Sequence, residues 1–284
     1  LVFSVPAIES TAAETPAPVL IEIPLQEVPF YSDPRGYFLK GFDVDSVGNF
    51  YFMSSGYLAS PTRVYPALTK FSPDLEKGYE KKYNFHSSPI HYWGTELYVF
   101  DWVRTKGIIV IDPHNGEIQE VIPYLFDFFS PIYLSFHDSM LFFAEPGIAN
   151  YIYLLPERKI IGTAPNLYGL PRDIYQRIRP REPVPYKDVY GITYLGNWRD
   201  YVVLWGVYDF NHPTHREKLW LETANGEEIL SIIIPKQQLT EVFVEDTDEM
   251  RLFKYGKFYR VYHDEKNIII AVYNIAERIE NKME

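Results

Sequence analysis

One pattern recurs along this chain and restricts its fold more than any other. A short apolar strand leads through a turn into an aromatic-rich strand, then a loop, a third strand, and a tight turn into a fourth. The second strands mark it most clearly: Phe50-Tyr51-Phe52-Met53, Leu97-Tyr98-Val99-Phe100, Met140-Leu141-Phe142-Phe143, Tyr201-Val202-Val203-Leu204 and Phe258-Tyr259-Arg260-Val261. Each follows a hairpin turn: Gly48-Asn49, Gly94-Thr95, His137-Asp138-Ser139, Gly196-Asn197 or Gly256-Lys257. Gly, Asn and Asp tolerate the positive φ that tight hairpins require. Third-to-fourth turns follow at Pro73 to Gly78, Pro113-His114-Asn115-Gly116, Pro156 to Lys159 and Ala224-Asn225-Gly226. Asn-Gly between apolar runs is the strongest short hairpin signal, and it occupies the same slot twice.

A four-stranded unit cannot bury its own faces, so repeated units stack around an axis, and the expected fold is an all-β propeller. Five second strands predict five four-stranded blades. The first three are spaced close to the ~40–45 residues a blade takes, and the wider later spacings call for insertions. The high aromatic content, 24 Tyr and 19 Phe, suits half-buried pleated surfaces. The last blade ends on Asn267 to Tyr273, a third strand, and its fourth is expected from the other terminus. Val19-Leu20-Ile21-Glu22-Ile23-Pro24-Leu25 alternates like a strand and carries Ile-Pro, as do Ile122-Pro123 and Ile234-Pro235 in fourth strands. Proline lacks a ladder donor and belongs on an edge, which is where fourth strands lie. Residues 19–25 are therefore expected to pair with 267–275 and close the ring. A sixth, irregular blade from residues 165–190 is the alternative. Residues 1–18 read as a flexible segment and 19–284 as one propeller domain.

Composition excludes several classes. The net charge of −11 argues against nucleic acid, which needs a basic face to release counterions. Absence of cysteine removes disulfides, thiolate metal sites and a Cys nucleophile. Leu1 to Ala7 reads as the tail of a signal sequence with small residues at Val5 and Ala7, so export to a periplasm or cell surface is expected. No apolar stretch reaches the ~18 residues that span a bilayer.

Candidate chemistry is sparse. Asp43 to Asn49 has Asp-x-Asp spacing, but Val47 holds the fifth position and no acidic residue closes the loop, so it reads as a hairpin turn rather than a calcium site. His212 and His215 flank Pro213 without a third ligand. No nucleophile elbow, phosphate loop or dinucleotide fingerprint is present. No metal or cofactor is expected.

Asp43-Val44-Asp45-Ser46-Val47-Gly48-Asn49-Phe50-Tyr51 resembles the strand-turn-strand core of bacterial propellers of the NHL and quinoprotein-like kind. Ile109-Val110-Ile111-Asp112-Pro113-His114-Asn115-Gly116-Glu117 is similar to their third strand and hairpin. The resemblance spans roughly half the chain and implies architecture, with binding of proteins, peptides or glycans across one face where no catalytic constellation exists. A second resemblance is to fructan- and arabinan-cleaving glycosidases, also five-bladed. Ser32-Asp33-Pro34-Arg35-Gly36 resembles their Asn-Asp-Pro-Asn-Gly, and Ala144-Glu145-Pro146 their Glu-Cys-Pro. With Asp101 as the middle acid, it implies a carbohydrate-active enzyme using Asp33, Asp101 and Glu145. Their Arg-Asp-Pro motif is absent, and Asp101 and Glu145 end second strands, whereas that family's acids lie on innermost ones. A metal-dependent lactonase-like propeller is a further alternative.

The leading expectation is a non-catalytic, exported propeller with a protein or glycan partner. Its site is expected on the second-to-third-strand loops 54–66, 101–107, 145–150, 206–217 and 263–266, near Arg63, Tyr65, Trp102, Arg104, Glu145, Asn150, Trp205, His212, His215 and Arg216. Trp, Tyr and Arg dominate binding hot spots. The Pro-rich insertion 165–187 adds Arg172, Arg177, Arg179 and Arg181, a basic arm on an acidic protein suited to docking an acidic partner.

Overall fold

The computed structural model describes residues 17–28, 38–55, 66–85, 90–101, 105, 107–123, 133–137, 139–145, 149–163, 189–208, 216–235, 251–263 and 266–283. After β1 (Val19–Pro24), the first sheet is β2 (Phe38–Val44), β3 (Phe50–Ser55), β4 (Ala67–Phe71) and β5 (Lys77–Lys82). The second is β6 (Ile90–Trp93), β7 (Glu96–Asp101), β8 (Gly107–Ile111) and β9 (Ile118–Pro123). The third is β10 (Tyr133–His137), β11 (Met140–Glu145), β12 (Ala149–Leu154) and β13 (Lys159–Thr163). The fourth is β14 (Val189–Trp198), β15 (Tyr201–Tyr208), β16 (Arg216–Thr223) and β17 (Glu228–Pro235). The last strands are β18 (Arg251–Lys254), β19 (Lys257–His263) and β20 (Asn267–Asn274), followed by helix α1 (Ile275–Met283). The architecture is an all-β propeller of four-stranded antiparallel sheets.

In the fifth sheet the order is β18, β19, β20, β1. β1 runs antiparallel to β20, from Val19 opposite Val272 to Pro24 opposite Asn267. Ile23 is buried, while Val19 and Leu20 face outward on the edge. Pro24, Pro123 and Pro235 all end outer strands, where a missing N–H costs no ladder bond.

Apolar side chains between neighbouring sheets form the core. Tyr51, Met53 and Leu68 pack on Ile90, Leu97 and Val99 between the first two sheets. Tyr98, Phe100 and Val110 meet Leu141 and Leu155 between the second and third. Trp205, Leu219 and Ile232 meet Phe253, Phe258 and Tyr273 between the fourth and fifth. Ile23, Val261 and Ile270 close on Phe42, Phe50 and Phe52 between the fifth and first.

Two local readings are corrected. Gly196-Asn197 is not the hairpin turn of the fourth sheet: Trp198 pairs with Tyr201, and the turn falls on Arg199-Asp200. Gly196, at φ 121°, instead absorbs a register shift within β14, the behaviour of a bulge. Trp198 fixes this choice by packing edge-on against Phe253 of the fifth sheet. The chain also does not stop at a third strand. Asn274 caps a helix, its Oδ1 accepting from Glu277 N and its Nδ2 donating to Glu277 Oε2. Ile275 and Ile279, one turn apart, bury the face that docks α1. The 165–190 segment offered as a sixth blade lies mostly outside the described residues, and Val189–Trp198 is the first strand of the fourth sheet.

Candidate functional site

Strand order sorts the connections between two ends. In an antiparallel meander, first-to-second and third-to-fourth turns fall at one end, and second-to-third loops and sheet-to-sheet crossovers at the other. The turn end holds short turns such as 94–95, 199–200 and 255–256. The loop end receives connections 25–37, 56–66, 124–132, 164–188, 209–215 and 236–250. Helix α1 lies at the turn end, Ile275 N and Ala276 N donating to Gly256 O.

Near the turn end, three first strands meet in a buried ionic cluster. Asp43 of β2 is fully buried. Its Oδ1 accepts from Val44 N at 2.6 Å and Lys254 Nζ at 2.7 Å. Its Oδ2 accepts from Tyr92 N at 2.6 Å and lies 3.2 Å from His91 Nδ1. Lys254 also donates to Tyr92 O at 2.5 Å. Burial alone would raise the Asp43 pKa, but the charge of Lys254 and the hydrogen bonds from His91 and Lys254 outweigh it and hold the carboxyl below its usual range. A carboxylate offers about four lone-pair sites, and four donors surround this one. The cluster ties the first, second and fifth sheets together and leaves Asp43 no capacity for a substrate. In sequence Asp43 falls in a turn motif, and its partners His91 and Lys254 carry no local signal.

A second cluster spans the fourth and fifth sheets toward the loop end. Glu217 of β16 accepts from Arg251 at 3.1 Å and Arg260 at 2.8 Å on Oε1, and from Trp205 Nε1 at 3.2 Å on Oε2. The Arg251 guanidinium lies over the Trp205 ring at 3.9 Å. Such stacking orients both groups within the junction of the fourth and fifth sheets.

The expected site residues divide by placement. Trp205 is not a loop residue: β15 continues to Tyr208, and the side chain is buried in the junction just described. Glu145 ends β11, Asn150 lies in β12 and Arg216 begins β16, so the loops there are 146–148 and 209–215, shorter than the sequence suggested. The side chains of these three lie outside what is described. Asp101, at the end of β7, is buried, and its Oδ2 accepts from Thr105 N at 2.7 Å. Arg63, Tyr65, Trp102, Arg104, His212, His215, Asp33, Arg172, Arg177, Arg179 and Arg181 lie outside the described residues. Of the three carboxylates of the glycosidase alternative, the described side chains include Asp101 alone. No described helix is long and apolar enough to cross a membrane.

No protein-family profile and no curated protein matches the sequence. Among solved structures, the chain is similar to glutaminyl cyclase from Myxococcus xanthus, with 13% identity, 91% of this chain and 97% of that chain covered, and a TM-score of 0.44. It is also similar to BamB from Moraxella catarrhalis, with 9% identity, coverage of 91% and 98%, and a TM-score of 0.37. A protein of unknown function from Bacteroides caccae gives 11% identity, coverage of 72% and 70%, and a TM-score of 0.35. By its own sheet topology the chain is a β-propeller, of no more specific family.

Proposed function

We propose that this chain is a non-catalytic, exported propeller of five blades, closed by its N-terminal strand, that presents its loop end to a protein or glycan partner. The observation that carries this reading is the asymmetry of the two ends: short, internally bonded turns at one, and every long connection at the other. Binding residues concentrate on loops held by a rigid scaffold. Arg63, Tyr65, Trp102, Arg104, His212 and His215 all belong to loop-end connections, and Arg216 and Asn150 border them. The segment 164–188, with Arg172, Arg177, Arg179 and Arg181, links Thr163 of β13 to Val189 of β14, two strand ends on that side.

The test is a glycan array together with proximity labelling in the source cell, followed by titration of each captured species. Trp102→Ala with Arg104→Glu is expected to weaken binding at least tenfold, roughly the loss of one hot-spot residue, at unchanged melting temperature. Species that bind this variant and an arginine-free arm as well as wild type would overturn the loop-end assignment. Hydrolysis of fructan or arabinan that is lost in Asp33→Asn would replace it with the glycosidase reading.

A further inference from the structure

β1 is the outer strand of the fifth sheet, and no described strand pairs with its far side. The register fixes how its backbone groups divide between the two sides. Leu25 N donates to Lys266 O at 2.8 Å, one step beyond the pair of Pro24 with Asn267. Hydrogen-bonded pairs alternate along an antiparallel ladder, so Val19, Ile21 and Ile23 bond β20, while Pro18, Leu20, Glu22 and Pro24 turn their backbone groups outward. The two prolines have no N–H to offer. The outward donors of this edge are therefore Leu20 and Glu22, and each presents a carbonyl beside its N–H.

Side chains do little to shield those groups. Val19 is 67% exposed and Leu20 51%, and Glu22 is the one charged residue of the strand. By contrast, β5 carries Lys77, Glu80, Lys81 and Lys82, and Glu120 of β9 bonds Arg158. Charged side chains are a common guard of an exposed edge. Here Pro18 and Pro24 set the limit instead: they exclude a long partner strand and leave the short window of Leu20 and Glu22.

At its start this edge meets a groove of about 550 Å³, a size typical of ligand-binding clefts. Ala17, Val19, Val272, Tyr273 and Leu230 line it together with Asn281 of α1. A strand advances ~3.3 Å per residue, so a segment paired beside Leu20 reaches Ala17 and the groove in about three residues. Sheet edges recognise extended peptides through this combination, in which main-chain bonds hold the peptide and a pocket selects one side chain.

We propose that the outer edge of β1 docks a short extended segment of a partner protein, which adds one strand beside Leu20 and Glu22 and lays an apolar side chain in the groove. Unused ladder groups call for a ligand with a peptide backbone, and the prolines set its length. A second copy of this chain is a poor occupant, since it brings the same net charge of −11. The site is separate from the loop end and independent of the function proposed there.

The test uses random linear peptides displayed on phage, selected on the intact protein and then titrated as synthetic peptides. Selected peptides are expected to be rich in β-branched and aromatic residues, and N-methylation of alternate amides should weaken them at least tenfold, the loss of one or two ladder bonds. Glu22→Pro removes an outward donor that β20 does not use, and should weaken binding as much at a nearly unchanged melting temperature; Glu22→Ala, which keeps the N–H, should bind like wild type. Val19→Asp, a change at an exposed position lining the groove, should also weaken binding. Failure to select any peptide, or peptides indifferent to N-methylation and to Glu22→Pro, would overturn the proposal. Binding that appears only after residues 1–16 are removed would overturn it and assign the edge to that segment. Self-association in sedimentation that Glu22→Pro abolishes would overturn it in favour of a second copy. Trp102→Ala with Arg104→Glu should leave peptide binding unchanged, so the two surfaces fail separately.

Discussion

Lys254 Nζ lies 2.7 Å from Asp43 Oδ1, a hydrogen bond between residues 211 positions apart in sequence. Both belong to first strands, and the bond joins the fifth sheet to the first. Removing one partner of a buried pair leaves the other charge uncompensated, at a cost of about 3–5 kcal/mol. Asp43→Asn is therefore expected to lower unfolding free energy by that amount in urea titrations. A double change with Lys254→Met should cost less than the sum of the two single changes.

The same carboxylate predicts a pH dependence. The folded pKa of Asp43 is depressed, so its stabilisation is full above the unfolded value of about 3.9 and is lost as pH falls through the folded pKa. The stability difference between wild type and Asp43→Asn should be flat above about pH 5 and narrow below about pH 4. Urea midpoints collected across this range provide the check, and a difference that widens on acidification contradicts it.

Ile23 of the N-terminal strand is 1% exposed and packs with Val261 and Ile268 of its own sheet and Phe42 of the first. Ile23→Ala should cost about 2–5 kcal/mol, the range for a truncated core aliphatic. Removal of residues 1–16 should change stability by no more than about 0.5 kcal/mol. Thermal melts of both variants separate the strand's contribution from that of the segment before it.

Gly107 allows β8 and β9 to approach. A Cβ there would sit 2.6 Å from Ile122 O, a backbone atom that cannot swing aside. Gly107→Ala should destabilise by about 1–3 kcal/mol, the typical cost of overpacking. Faster amide exchange confined to β9 would locate the damage.

Helix α1 offers a contrast between surface charge and burial. The Arg199–Glu280 pair is about half exposed on each side and should contribute under about 1 kcal/mol. Ile279, 1% exposed, should cost about 2–5 kcal/mol when truncated to alanine. Calorimetry of Glu280→Ala beside Ile279→Ala tests the ranking.

Turn grammar made the sheets legible. Gly48, Gly94, Gly116, Gly226 and Gly256 all hold positive φ in turns, and a local signal of that kind is visible in any four residues. Gly196 misled for the same reason: only the packing of Trp198 on Phe253, a long-range contact, shifts the turn to Arg199. The ionic cluster of Asp43, His91 and Lys254 could not be read, because each residue looks ordinary beside its own neighbours and the three meet only when three sheets assemble. Trp205 was expected beside a loop and lies within a strand, since a strand's last residues and a loop's first have the same composition. Helix α1 was hidden by its sparse apolar pattern, with Ile275 and Ile279 the only large branched residues in a charged tail.

The pairing of Val19–Pro24 with Asn267–Asn274 has a consequence for how the chain is made. A ribosome releases β1 before β2 to β19 and β20 after all of them, so the first strand must wait for its partner while the sheets between are made. Its partner edge does not exist until the sheets between have emerged, and pairing so distant in sequence is intrinsically slow. Until then the apolar strand of Val19, Leu20 and Ile21 is open to misdirected strand pairing, and a chaperone that shields nascent chains would find a target there.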